Sequence, residues 1–386
     1  MNSTLEHLIV KFLNKSATAK EFKTLTHLLK DRENKALFEE YVRVNHQLNQ
    51  SLYDADKDQT LAVLMRRIEQ DKQRATKVVW LRRIGYAAAA VVIMSLGIQY
   101  INQNTTPQVE SAPTLVKSDI KVGADKAILT LANGNEVALE KGNEFHATNA
   151  NSNGESIVYT ATTTDKPLPI AYNTLTIPRG GEFFLQLSDS TKIWLNSATK
   201  LKYPVDFSSS DTRQVELVYG EAYFEVSAST KNNGKAFKVL SRDQEIEVLG
   251  TAFNVKAYEE EEYTYTTLVH GKVAVNVNEQ SKQLTPNQQA IVTANQEIKI
   301  SAIDVYNEIS WKDGVFSFEG KNLAEIMTVL SRWFDMNVVF QDNALKKKQF
   351  VGVLGREQSI EEILQTIHRL GAINTFEINS KKIILK

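Results

Sequence analysis

Six histidines and no cysteine limit the chemistry this chain could run. Without cysteine there are no disulfides, no thiolate zinc sites, no iron–sulfur clusters and no cysteine nucleophile. His7, His27 and His46 fall on different predicted helices, and His146, His270 and His368 stand apart from one another. That spacing supplies neither a metal site nor a Ser-His-Asp set. Gly320-Lys321 resembles the end of a phosphate loop, but Val315 stands where that loop needs its first glycine and Asn322 where it needs Ser or Thr. Gly180-Gly181 lacks the GxGxxG spacing, and neither HExxH nor GxSxG occurs. Glu259 to Glu262 are four consecutive carboxylates without the alternating oxygen spacing of a calcium loop, so a solvated hairpin tip is expected there. No catalytic residue, cofactor or metal ion is therefore assigned, and the chain does not read as an enzyme.

The elements that could position a binding surface are easier to read. With 386 residues, 42% of them hydrophobic, the chain can bury more than one core, and two to four domains are expected. Its formal net charge is −1, which gives no global basic field to hold nucleic acid through its phosphates. No direct nucleic-acid contact is expected.

Residues 84–101 read IGYAAAAVVIMSLGIQYI, a run without a charged side chain. At about 1.5 Å per residue the run covers about 27 Å, and Val78 to Leu81 extend it toward the roughly 30 Å of bilayer hydrocarbon. Apolar residues occur all round its helical wheel, as a membrane-spanning helix requires. Residues 66–83 carry 7 basic and 2 acidic side chains, whereas only Lys117 and Lys121 follow within the next twenty or so positions. The positive-inside bias places the N-terminus in the cytoplasm, with Arg82 and Arg83 on the inner flank and Trp80 and Tyr100 as interfacial anchors. Because 83 residues precede the run, it reads as an internal anchor and not as a cleavable signal.

Before the span, apolar residues recur at the helical period: Leu5, Leu8, Ile9, Phe12 and Leu13, then Phe22, Leu25, Leu28 and Leu29 after a Thr18–Glu21 capping box, then Leu37, Tyr41, Val44 and Leu48. A fourth stripe, Leu61, Leu64, Met65 and Ile68, either closes the bundle or stays open to a partner. Three or four helices in about 75 residues make a marginal core, so leftover apolar surface suits helix-in-groove binding.

Beyond the span, residues 102–116 form a polar linker with Pro107 and Pro113. From about residue 117 to 300 short alternating runs predict an antiparallel all-β domain, as packed or stacked sheets. Separate strands are expected at 214–219, 222–226, 237–240, 246–249, 253–258, 263–269 and 272–277. ILTLANGNEVAL (128–139) is echoed by FLQLSDSTKIWL (184–195), each two runs around a turn. Asn133-Gly134 suits a two-residue hairpin, while Asp189-Ser190 leaves the second turn type open. After Trp311 the pattern becomes strand, helical stripe (Leu323, Ile326, Met327, Leu330, Trp333, Phe334), strand, and then repeats through Ile360, Ile363, Leu364, Ile367 and Leu370. A βαβ–βαβ order predicts a compact sheet with helices on one face. The fold class is thus multidomain: all-α at 1–77, one transmembrane helix with its flank at 78–101, a linker at 102–116, all-β at 117–300, a linker at 301–312, and α/β at 313–386.

NTLTIPRGGE (173–182), LSDSTKIWLNSATKLKYPVDF, VELVYGEAYFEV, VLGTAFNVKAY, TTLVHGKVAV and LTPNQQAIV closely resemble the FecR (ferric citrate regulator) family of transmembrane anti-sigma regulators. The stretch WKDGVFSFEGKNLAEIMTVLSRWFDMNVVF is similar to the C-terminal domain that accompanies it, itself similar to the short N-terminal domain of secretins and TonB-dependent receptors. One departure is Asp189-Ser190-Thr191, where the family usually has Asp-Gly-Thr. The resemblance implies a single-pass inner-membrane protein with a periplasmic C-terminus. On that reading the signalling domain of a TonB-dependent outer-membrane receptor acts on the outer part, and the inner helices control an extracytoplasmic-function sigma factor through Leu61, Leu64, Met65 and Ile68. Regulated proteolysis is the expected means of passing the signal. Some family members self-cleave at a Gly-Thr bond, which maps to Gly250-Thr251; a tight turn between two strands is the other reading of that pair. The competing class is a membrane-tethered periplasmic scaffold or glycan-binding module with no sigma-factor contact.

Overall fold

The computed structural model of the chain describes residues 8, 9, 28, 119–161, 170–242 and 244–386. Contacts divide the chain into two units, Met1–Glu110 and Ser111–Lys386. In the first, Leu8, Ile9 and Leu28 are helical, and Leu8 and Ile9 are buried. The span at 84–101, its anchors Trp80, Arg82, Arg83 and Tyr100, and the stripe Leu61, Leu64, Met65 and Ile68 lie outside the described residues. Among the described residues no helix is long and apolar enough to cross a membrane.

In the second unit, strands whose side chains alternate between core and surface build two packed sheets. Gly181–Gln186 is typical: Phe183 and Leu185 point into the core, while Glu182, Phe184 and Gln186 face outward. One sheet runs in the order Glu136–Glu140, Ala124–Thr130, Tyr172–Ile177, Thr199–Pro204, Arg213–Glu225, Phe237–Ser241, Gln244–Val248, Val273–Val277 and Gln280–Leu284. The other runs Phe145–Ala147, Ala150–Ser152, Ser156–Tyr159, Gly181–Gln186, Lys192–Leu195, Arg213–Glu225 again, Ala252–Ala257, Thr264–His270, Gln288–Val292 and Ile298–Ala302. Most pairings are antiparallel; 213–225 with 237–241, 156–159 with 181–186, and a short link of Ala124 and Asp125 with Gly181 and Glu182 are parallel.

Arg213–Glu225 belongs to both sheets, which corrects the expected pair of strands broken near residue 220. The chain stays extended, but a bulge between Leu217 and Tyr219 shifts the alternation by one. Val215 and Leu217 face the core before the bulge, Ala222 and Phe224 after it. Gly220 makes the bend: its φ is +102°, and a Cβ there would lie 2.4 Å from the Thr199 Cα.

The echoed hairpins share one turn. Leu131 N donates to Asn135 O (2.8 Å) and Gly134 N to Leu131 O (2.8 Å); Leu187 N donates to Thr191 O and Ser190 N to Leu187 O, each at 2.9 Å. Both loops have three residues, not two, with only the last at positive φ: Gly134 at +85° and Ser190 at +69°. Ser190 tolerates this because Asp189 accepts from the Thr191 backbone N–H (2.9 Å) and hydroxyl (2.8 Å), locking the loop from its side chain.

The last part of the chain builds a second core around two helices, α1 (Leu323–Trp333) and α2 (Ile360–Arg369). Each starts with a capping box, Asn322 with Glu325 and Ser359 with Glu362. Strands Asn337–Phe340 and Lys382–Leu385 fall where the alternation predicts them. The single sheet expected there is instead two. Val315–Asn322 pairs antiparallel with Gln349–Gly355, while Asn337–Phe340, Lys382–Leu385 and Phe376–Asn379 form a three-stranded sheet. Phe316, Phe318, Phe350 and Leu354 of one sheet and Phe376, Ile378, Ile383 and Leu385 of the other join both helices in one core.

Candidate functional site

Two features concentrate polar chemistry: a seam between the β part and the α/β part, and a groove over Gly250-Thr251. In the seam the turn Pro178–Gly181 reaches the C-terminal end of α1, where the last carbonyls lack helical partners. Gly180 N donates to Arg332 O (2.7 Å), and the Arg179 guanidinium donates to Ser331 O (2.7 Å) and Met336 O (2.5 Å). The helix end is thus capped by the neighbouring domain, with a cation where its dipole is negative.

Two further arginines, nearly inaccessible, pin the surfaces together. The Arg332 guanidinium lies 3.4 Å from the Tyr258 ring centroid and donates to Glu260 (2.9 Å) and Glu261 (2.7 Å). The acidic run is the expected hairpin tip between Ala252–Ala257 and Thr264–His270, with Glu259, Glu260 and Glu262 exposed, but Glu260 and Glu261 also receive a cation from the other domain. Burial alone would raise the Glu261 pKa, but Lys256 at 3.1 Å and Arg332 together lower it. Arg356 stacks 3.6 Å from Trp333, donates to Trp311 O (3.0 Å) and Asn196 Oδ1 (3.2 Å), and pairs with Glu182 at 3.3 Å. The Trp333 indole N–H in turn donates to Arg356 O (2.9 Å).

Beneath these arginines sits Glu221, a buried carboxylate that accepts from Asn196 Nδ2 (2.8 Å) and Asn254 Nδ2 (3.0 Å). Desolvation raises its pKa, with Lys256 and the two amides opposing. A raised carboxylate pKa means the native state holds the proton more tightly than the unfolded chain, so this contribution weakens as pH rises from the ordinary glutamate value through the native one. Glu221→Gln is therefore expected to flatten the pH dependence of seam stability and to cost less at pH 8 than at pH 5. Hydrogen exchange of α1 amides at the two pH values measures it; equal changes at both would contradict the assignment.

The groove has a volume of about 680 Å³ and is lined by Ser188, Lys192, Glu225, Lys231, Asn232 and His270 beside Gly250 and Thr251. Gly250 has φ +154°, and a Cβ on it would come within 3.0 Å of the Ala228 Cα. The bond between the two residues is held on both sides, because Leu249 O accepts from Ser229 N (2.6 Å) and Thr251 O from Val226 N (3.0 Å). Thr251 is buried and its hydroxyl donates to Lys272 O (2.9 Å). Segment 226–229 is itself anchored by Arg213, which donates to Ser227 O (2.9 Å) and pairs with Asp189 at 2.7 Å, both side chains almost wholly buried.

Of the residues singled out from sequence, Gly250 and Thr251 are placed together, with His270 on the same groove. Arg179, Arg332 and Arg356 were missed. Their signal was indirect: an arginine inside the apolar stripe of α1, next to Trp333. Among the described residues no group of His, Asp and Glu is arranged to hold a metal ion.

Residues 173–288 match the family described as FecR protein, and residues 315–385 the one described as FecR, C-terminal. Two crystal structures of a candidate anti-sigma factor from Parabacteroides distasonis ATCC 8503, at 1.65 and 2.50 Å resolution, are each 31% identical to this chain. The match covers 55% of this chain and 98% of theirs, with a TM-score of 0.50. No match is found among curated proteins.

Proposed function

The chain belongs to the FecR family, and from that premise we propose that it is an anti-sigma factor of the inner membrane, controlling an extracytoplasmic-function sigma factor in the cytoplasm. The observation that carries the reading is the 31% identity to the candidate anti-sigma factor from Parabacteroides distasonis, over a match that covers 98% of its crystallised chain. The two packed outer domains receive the signal, the run at 84–101 anchors the chain, and the inner helices hold the sigma factor with Leu61, Leu64, Met65 and Ile68. The periplasmic partner is the signalling domain of a TonB-dependent receptor, which acts on the α/β domain, itself similar to the short N-terminal domain of such receptors. The signal passes by regulated proteolysis of the anchor, since one apolar helix transmits push or rotation poorly. The family is regulatory, which fits a site built from docking contacts.

Affinity capture of the full chain from its own cells, followed by mass spectrometry, tests this. A sigma factor is expected with the intact chain and with residues 1–83 alone. Leu61→Asp with Leu64→Asp is expected to cut recovery about tenfold, roughly what losing 1.4 kcal/mol of binding does. No sigma factor with either form would end the reading in favour of a tethered scaffold or glycan-binding module.

Gly250-Thr251 is also proposed as a self-cleavage bond, on the strength of its glycine-only backbone and buried hydroxyl. Thr251 Oγ1 attacks the Gly250 carbonyl carbon, the C–N bond breaks to leave an ester and a free amine, and one water hydrolyses the ester to the Gly250 carboxylate and the restored hydroxyl. Intact-mass comparison with Thr251→Ala decides: a fragment beginning at Thr251 is expected from the wild type only.

A further inference from the structure

The segment that leads into the β domain is held by the domain built last. Ile120, 9% exposed, belongs to the core of the α/β domain, together with Ile326, Leu330, Trp333 and the neighbouring strands. Three residues on, Gly123 lies so close under Trp333 that a Cβ would fall 2.6 Å from the indole ring. Ala124 N then donates to Gly180 O (3.1 Å), and Gly180 N to Arg332 O (2.7 Å). Asp119, Lys121 and Val122, between and beside these points, are exposed. The chain is thus pinned at 120 and 123 by side chains some two hundred positions downstream, just after the linker that sequence places at the membrane.

Endopeptidases bind several consecutive residues in extended form, so an exposed side chain is not enough: the local backbone must lift away. Here it cannot lift while Ile120 and Gly123 are held. We propose that the α/β domain is a clasp over Asp119–Gly123 and that this segment is a concealed proteolytic site, open to an endopeptidase once the domain is displaced. The step is ordinary peptide hydrolysis: one water adds across one C–N bond, giving a new carboxylate and a new amine. The physiological use of the clasp rests on the relay reading above; the clasp itself does not.

Lys121 supplies a direct readout, because trypsin cuts at Lys121–Val122 only when that stretch is extended. With the full chain in dodecyl maltoside micelles, the wild type is expected to be cut there slowly. Gly123→Ala, whose methyl collides with the indole, is expected to raise the rate at that bond by about tenfold, as about 1.4 kcal/mol less protection would. Val122→Ala, on an exposed side chain, is expected to leave the rate within about twofold. Adding Trp333→Leu to Gly123→Ala removes the colliding ring, and the added methyl should then accelerate cutting little over Trp333→Leu alone, which a general loss of stability would not reproduce. Wild-type cutting already as fast as that of Gly123→Ala overturns the clasp. Should Gly123→Ala fail to fold, Ile120→Ala gives the same reading: faster cutting at Lys121 sustains the proposal, and the wild-type rate overturns it. None of these outcomes depends on a sigma factor, so this proposal and the anti-sigma reading can fail separately.

Discussion

Arg213→Ala is expected to destabilise the β domain by about 3–5 kcal/mol, the usual cost of stripping one partner from a buried ion pair. Arg213 and Asp189 have side chains only 1% and 2% exposed, 2.7 Å apart. The guanidinium also donates to Ser227 O and Lys235 O (both 2.9 Å) and lies 5.5 Å from the Phe237 ring. Its loss leaves a carboxylate in low dielectric with only the Thr191 groups as donors. One feature separates this from a simple packing defect. The double change Asp189→Leu with Arg213→Met should cost less than Arg213→Ala alone, since no orphaned charge remains. Hydrogen exchange of strand Phe237–Ser241 reports the global loss, and exchange at 226–235 the loosening of the loop over Gly250. A double variant no more stable than Arg213→Ala would refute the electrostatic account.

Arg356→Ala is expected to cost about 2–4 kcal/mol and to unseat the α/β domain. The lost terms are a desolvated stack on Trp333, two hydrogen bonds and a pair with Glu182. Glu182 keeps a third of its side-chain surface in water, so its orphaned charge is screened and the estimate sits below that for Arg213. Arg356→Lys should recover little, because an ammonium has neither the planar face for the indole nor the fork that reaches Trp311 O and Asn196 together. Red-shifted tryptophan emission, from Trp311 and Trp333 gaining water, is the readout; an unchanged spectrum with normal α1 exchange would show the seam does not depend on this residue.

Much of the strand order was legible because alternation has a physical cause: one face meets the core and the other meets water. Asn337–Phe340 and Lys382–Leu385 follow from that rule directly. It failed where both faces are covered. Glu221, Ala222, Tyr223 and Phe224 are all buried, the even positions in the β core and the odd ones toward the seam, so no alternation survives to be read. The same covering hid the site. Arg332, Arg356 and Glu261 look like solvated charges to any rule that treats one chain segment at a time, and become buried partners only when two domains close on them. The expected single α/β sheet was wrong for a related reason: strand–helix order does not say which strands pair, and the strands divide into a two-stranded and a three-stranded sheet that share one core with both helices. Gly250 and Thr251 were legible as a pair, whereas the groove beside them, formed by loops around 188–192 and 226–232, was not.

One strand lying in both sheets has a mechanical consequence. Arg213–Glu225 passes its load from Thr199–Pro204 and Phe237–Ser241 to Lys192–Leu195 and Ala252–Ala257 without a loop in between. Tension on either layer is shared by the other at once, so neither can peel off alone. Pulled from its two ends, the β domain should therefore rupture in a single event at one force, and a tug on the tether reaches every ladder before any one of them yields.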